Sequence, residues 1–271
     1  MSSQVTFDVK IKTIPRDPRN TLVMACPEPS LASIVSIEYL VDVLKMEEIG
    51  SIKPRNLVPV ITVINGAAKL PYLLFYDKDH ALVVIRQHVP VTPGTYRQFV
   101  NKVLDWTEDN GINRVACLTS TSLIGEKELD TVYFVSEEAH VDEYKSLGFE
   151  PLKEATITGI EAVFLDAVLS RNINGVLLLA ESKVLTTINR LLMSGKIANH
   201  KDLLAILNQT VGQYGPDVTA ALKLVKAISK LINAEIPIDQ LAEHANKYAF
   251  LIDKNLEEYM KPQKEEMPVF Y

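Results

Sequence analysis

Three short, almost wholly apolar runs constrain this chain most: Thr21-Leu-Val-Met-Ala-Cys26, Val115-Ala-Cys-Leu118 and Gly175-Val-Leu-Leu-Leu-Ala180. A strand sends successive side chains to opposite faces, so a run that is apolar at every position must be covered on both. Between these runs lie helical patterns. Ser30 is placed to cap one that extends to about Lys45, with Leu31, Ile34, Val35, Ile37, Leu40, Val41 and Leu44 around most of its circumference. Pro93 to Asn110 carries Tyr96, Phe99, Val100, Val103 and Leu104 on one face and stops at Gly111. Buried strands alternating with helices imply an α/β fold, a three-layer domain with helices on both faces of the sheet.

Other segments add antiparallel character. The opening run from Val5 to Thr13 alternates apolar and polar, as a half-exposed strand does. Leu57 to Ile64, Leu70 to Tyr76 and Ala81 to Ile85 are strand-like runs separated by Asn65-Gly66 and Asp77-Lys-Asp-His80, so they read as a meander and the sheet as mixed. Thr131 to Val135 is a further strand; Ser136 is placed to cap a helix with Glu137 and Glu138 in its first turn, and Gly148 ends it. After Pro151 the pattern is strand, Gly159, then a helix from Ala162 to Leu169. Beyond Ala180 the chain is helical at roughly 184–194, 200–212, 216–232 and 239–260. Pro216 falls in the first turn of the third of these helices, and Asp239 caps the fourth. The expected organisation is one α/β domain over 1–260, with a helical insertion at about 183–213 and a flexible tail at 261–271.

Charge and composition exclude several classes. A net charge of −6 without basic runs argues against nucleic acid, which needs a positive footprint. No segment approaches the length of an apolar membrane span, and Met-Ser-Ser-Gln-Val is not a signal peptide, so a cytoplasmic protein is expected. Cys26 and Cys117 cannot hold a metal cluster and read as small core residues near strand ends. Neither a phosphate loop, a nucleophile elbow nor a His-Glu-x-x-His helix occurs. The five histidines (His80, His88, His140, His200, His244) fall in turns and on polar helix faces. No cofactor is implied.

Two places remain for function. In open α/β sheets ligands enter beyond the carboxyl ends of the strands. Glu181 and Ser182 follow one strand there and Thr119 and Ser120 another; a carboxylate facing hydroxyls suits a ribose or an amine, although polar residues at strand ends are commonplace. The second place is the C-terminal stretch. Leu241, Ala245, Tyr248, Ile252, Leu256 and Tyr259 form a stripe that packs on the domain through Ile252, after which charges dominate and the helix projects. Pro262 and Pro268 forbid a helix in Lys261-Pro-Gln-Lys-Glu-Glu-Met-Pro-Val-Phe-Tyr271. Val269, Phe270 and Tyr271 then offer two aromatics and a carboxylate, suited to capture in a pocket of another protein or to packing on the chain's own assembly.

The ending resembles the hydrophobic–tyrosine–any-residue tail of proteasome activators and assembly chaperones, with Val269 in the hydrophobic position, Tyr271 last and Phe270 where the motif has tyrosine. The body agrees. Cys26-Pro-x-x-Ser-Leu-Ala-Ser-Ile-Val-Ser-Ile-Glu-Tyr-Leu-Val41, Met46 to Pro54, Trp106 with Gly111, Thr158-Gly-Ile160, Gly175 to Ser182 and Pro216 to Ala221 through Ile238 to Leu241 resemble the proteasome assembly chaperone 2 family over about residues 20–250. The resemblance implies a fold similar to nucleoside phosphorylases and peptidyl-tRNA hydrolases, a homo-oligomer, no catalysis, and tails that dock on proteasome α-subunits. Pro29, Leu31 and Ala32 stand where the family usually has glycines. Two other functions remain open: a nucleoside- or nucleotide-binding enzyme using the crevice near Glu181, and a structural homo-oligomer with self-packed tails.

Overall fold

The three apolar runs form adjacent parallel strands at the centre of one sheet. A computed structural model describes residues 6–55, 60–64, 66–125, 128–193 and 215–245. Its strands are β1 (Thr6–Ile11), β2 (Thr21–Ala25), β3 (Glu47–Arg55), β4 (Thr62–Ile64), β5 (Ala67–Lys69), β6 (Tyr72–Asp77), β7 (Leu82–Gln87), β8 (Arg114–Thr121), β9 (Tyr133–Ser136), β10 (Glu150–Pro151) and β11 (Asn174–Glu181). Among the described residues nine of these form one sheet in the order β1-β3-β6-β7-β2-β8-β11-β9-β10. The centre, β7-β2-β8-β11, is parallel, with Leu22 opposite Val83 and Val115, and Leu118 opposite Leu178. β1, β3, β6 and β7 pair antiparallel, as do β11 and β9, so the sheet is mixed.

Period-two alternation divides the core into two layers. Val23, Ala25, Ala116, Leu118 and Leu178 face α1 (Ala32–Val43) and a later helix, α6 (Val218–Leu231), whose Leu224 and Ile228 are fully buried. Leu22, Met24, Val115 and Leu177 face α2 (Tyr96–Asp109) and α4 (Gly159–Arg171). Phe99, Val100, Val103 and Leu104 are buried on α2, as the spacing requires, and each contributes about 1.5–3 kcal/mol on that face. At Gly175 a Cβ would come within 2.6 Å of the Val168 side chain, so α4 lies directly on β11. Helices α3 (Val141–Ser146) and α5 (Lys183–Met193) are also described, and residues 239–245 are helical.

Several local expectations are corrected. β3 was not legible: its stretch, Glu-Glu-Ile-Gly-Ser-Ile-Lys-Pro-Arg, buries only Ile49 and Ile52, and a register shift between Glu48 and Gly50 breaks the alternation. Of the run from Leu57 to Ile64, residues 57–59 lie outside the described residues, and among those described β4 pairs with β5 as a separate hairpin. Ser136 caps nothing; its hydroxyl donates to the Glu137 carbonyl (3.1 Å), and a 3₁₀ turn at Glu138–His140 precedes α3. Past Pro151 the chain is not extended in a sheet, and α4 starts earlier than expected, at Gly159. Pro216 lies before α6 and Asp217 is its cap, accepting from the Ala220 N–H at 3.0 Å. Cys26 and Cys117 are fully buried, as expected of core residues, and are also joined as a disulfide between β2's end and β8. The 200–212 helix, the terminal stripe beyond Ala245 and the 261–271 tail lie outside the described residues. No described helix is long and apolar enough to cross a membrane.

Candidate functional site

Because β2, β8 and β11 are parallel neighbours, the residues after each strand meet at one end of the sheet. Helices α1, α4, α5 and α6 all begin there, so their unpaired N–H groups converge with the strand-end polar side chains. Three constellations result, each centred on a carboxylate.

The first is Glu28, in the turn between β2 and α1. Its Oε1 accepts from the Ser30 hydroxyl (2.8 Å), the Ser33 N–H (3.1 Å) and the Ser120 hydroxyl (3.2 Å), and its Oε2 from the Ser33 hydroxyl (2.5 Å). Glu28 therefore does the capping expected of Ser30, whose own oxygen accepts from the Ala32 N–H at 3.3 Å. Burial pushes the Glu28 carboxyl above its ordinary range, against the lowering effect of these donors. Leu31 sits at φ 57°, the left-handed region that suits glycine, so the turn is kept here at a backbone cost of about 1–2 kcal/mol.

The second joins α5 and α6 to the sheet. The Ser182 hydroxyl donates to Asp217 Oδ2 at 2.7 Å and accepts from the Leu185 N–H at 3.2 Å, while the Asp217 N–H donates to the Ser30 carbonyl at 2.8 Å. Burial raises the Asp217 carboxyl too, opposed by its bonds from the Ala220 N–H and Ser182. Glu181 stands beside this group but turns to the loop after β8. It is 2% exposed, and its two oxygens accept from the Ile124 N–H (2.9 Å) and the Leu129 N–H (2.7 Å).

The third lies on the α4 face. The Thr119 hydroxyl donates to Glu161 Oε1 at 3.1 Å. Both residues line a cavity of about 320 Å³, together with Ser120 and the apolar Leu152, Ile157, Leu177 and Leu179.

Of the four crevice residues expected from sequence, Thr119 and Ser120 share this cavity, whereas Glu181 and Ser182 line another of about 190 Å³ with Glu128, Lys183, Thr186 and Arg190. The tail residues Val269, Phe270 and Tyr271 lie outside the described residues. Sequence reasoning missed Glu28, Asp217 and Glu161. Glu28 had a local signal, a carboxylate two and five residues ahead of serines at a helix start. Glu161 had none, since Thr119 is 42 residues away in sequence. Among the described residues no group of three or more His, Cys, Asp or Glu is placed to hold a metal ion.

A model of the PAC2 family matches residues 22–256. Curated proteins offer no match. Among solved structures, the chain is similar to Pyrococcus furiosus PbaA, described as an archaeal homolog of proteasome-assembly chaperone, with TM-score 0.70, 15% identity and 94% and 93% of the two chains covered. It is also similar to Pyrococcus furiosus PbaB, described as an archaeal proteasome activator, with TM-score 0.69, 18% identity and 93% and 99% covered. A Mycobacterium tuberculosis proteasome-assembly chaperone homologue aligns at TM-score 0.58 and 15% identity, over 89% and 96%. At these identities the likeness is one of fold.

Proposed function

The chain belongs to the PAC2 family, and from that premise we propose that it is a non-enzymatic, homo-oligomeric chaperone of proteasome assembly that docks its Val269-Phe270-Tyr271 segment into pockets of the proteasome α-subunit ring. The observation that carries this reading is the family match over residues 22–256, joined to a fold shared along nearly its whole length with PbaA and PbaB. The strand-end geometry favours a passive body. Glu28, Asp217 and Glu181 each spend their oxygens on serine hydroxyls or backbone N–H groups of this same chain, which fixes loops and helix starts.

The work then falls to the end of the sequence. Val269 and Phe270 each contribute about 1.5–3 kcal/mol when fully buried, a weak anchor taken singly. Several such segments on one oligomer raise the effective concentration and strengthen binding by about 10²–10⁴-fold. Deleting Val269 to Tyr271 is expected to abolish co-purification with proteasome α-subunits while leaving the circular-dichroism spectrum and oligomer mass unchanged. Retained co-purification would remove the proposal, and a changed mass would assign the segment to the protein's own assembly. Phe270→Tyr should strengthen docking and Phe270→Ala weaken it.

A further inference from the structure

The cavity on the α4 face is anionic, partly apolar and built from elements the docking reading does not use. At about 320 Å³ it sits at the small end of the range for ligand pockets, about 300–1,000 Å³. Leu177 and Leu179 of β11 form an apolar side with Leu152 and Ile157, and Glu161 and Glu154 are its charged residues. No Lys, Arg or His lines it, and among the described residues none pairs with Glu161. Thr119, 3% exposed, holds Glu161 by one oxygen, Oε1, at 3.1 Å. The other, Oε2, lies 3.0 Å from where a Cβ on Gly159 would stand, so a side chain there would crowd the carboxylate; glycine, at φ +78°, leaves it room.

We infer that this cavity binds a small organic cation: a primary amine carried on an apolar body. The ammonium meets Glu161 Oε2, in a charge-assisted hydrogen bond, and the body lies against Leu152, Ile157 and Leu179. A phosphate or carboxylate ligand is disfavoured by two carboxylates without a compensating cation. The inference separates from the docking reading, because the cavity shares no residue with Val269 to Tyr271.

The probe is phenethylamine, titrated into the full chain by calorimetry beside 2-phenylethanol, phenylacetate and adenosine. The expected result is saturable binding of the amine, about tenfold or more weaker binding of the alcohol, as the loss of a charge-assisted bond implies, and none of phenylacetate. Glu161→Gln should weaken the amine by a similar factor with an unchanged unfolding midpoint, and Thr156→Lys, in the exposed rim, should do the same by supplying an internal ammonium. An amine that binds no better than the alcohol overturns the inference, as does affinity indifferent to both variants. Adenosine binding tighter than the amine would also overturn it, by assigning Glu161 to ribose hydroxyls. Deleting Val269 to Tyr271 should leave every affinity unchanged.

Discussion

Glu181→Ala tests whether the strand-end carboxylates are braces. The wild-type carboxylate is buried and receives two backbone N–H groups, those of Ile124 and Leu129, from a loop that has left the sheet. Each bond to a charged acceptor contributes about 1.5–3 kcal/mol net. Ile124 is 50% exposed, so water can take over part of that bond once the side chain is gone. The summed cost is therefore about 2–4 kcal/mol, below twice the single-bond figure. Glu181→Gln keeps one carbonyl acceptor but turns an NH₂ toward the other N–H, and should fall between wild type and alanine. Urea unfolding gives the free energy; at about 2–4 °C per kcal/mol for a chain of this size, the thermal midpoint of Glu181→Ala drops by several degrees. Amide hydrogen exchange then locates the effect, which should be faster at Ile124 and Leu129 and unchanged in β2. A loss within the roughly 0.5 kcal/mol of an ordinary surface substitution, with unchanged exchange, refutes the brace. A nucleoside-induced stabilisation that vanishes only in Glu181→Ala would instead return Glu181 to a ligand.

Gly175→Ala forces a methyl group to within 2.6 Å of Val168 and should cost about 1–3 kcal/mol by overpacking; Val168→Ala in the same chain should recover part of that loss in urea unfolding, and strict additivity would refute the contact. Burial raises the folded-state carboxyls of Glu28 and Asp217 above their ordinary 4.5 and 3.8, so folding favours their protonated forms. Their contribution is present below those values and is lost as pH rises through the folded-state values. Glu28→Gln removes one of these titrations, and unfolding free energy measured from pH 4 upward should fall less steeply than in wild type. An unchanged slope would show that Glu28 is ionised as easily in the folded protein as in the unfolded one.

The legible part of this fold is the part decided by period. β2, β8 and β11 announce themselves because apolar side chains at every position need two covered faces, and α2 because Phe99, Val100, Val103 and Leu104 fall on one stripe. β3 is silent because its neighbours β1 and β6, not its own composition, make it a strand. The same rule of alternation sorts the site, and there it was readable but unused. Ser120 continues the side of β8 that carries Ala116 and Leu118 toward α1, and it meets Glu28 and Ser30. Thr119 continues the side of Val115 and Cys117 toward α4, and it meets Glu161. On β11, Ser182 follows Leu178 and Ala180 toward α6 and finds Asp217, whereas Glu181 has the parity of Leu177 and Leu179. Four residues that sit together in sequence at two strand ends are thus sent to opposite faces by the pleat. Each then needs a partner from a turn, loop or helix start far away in the chain. Glu28 and Asp217 are those partners on one face, and Glu161 and the loop after β8 on the other; of these three carboxylates, Glu161 borders the partly apolar cavity with an oxygen to spare.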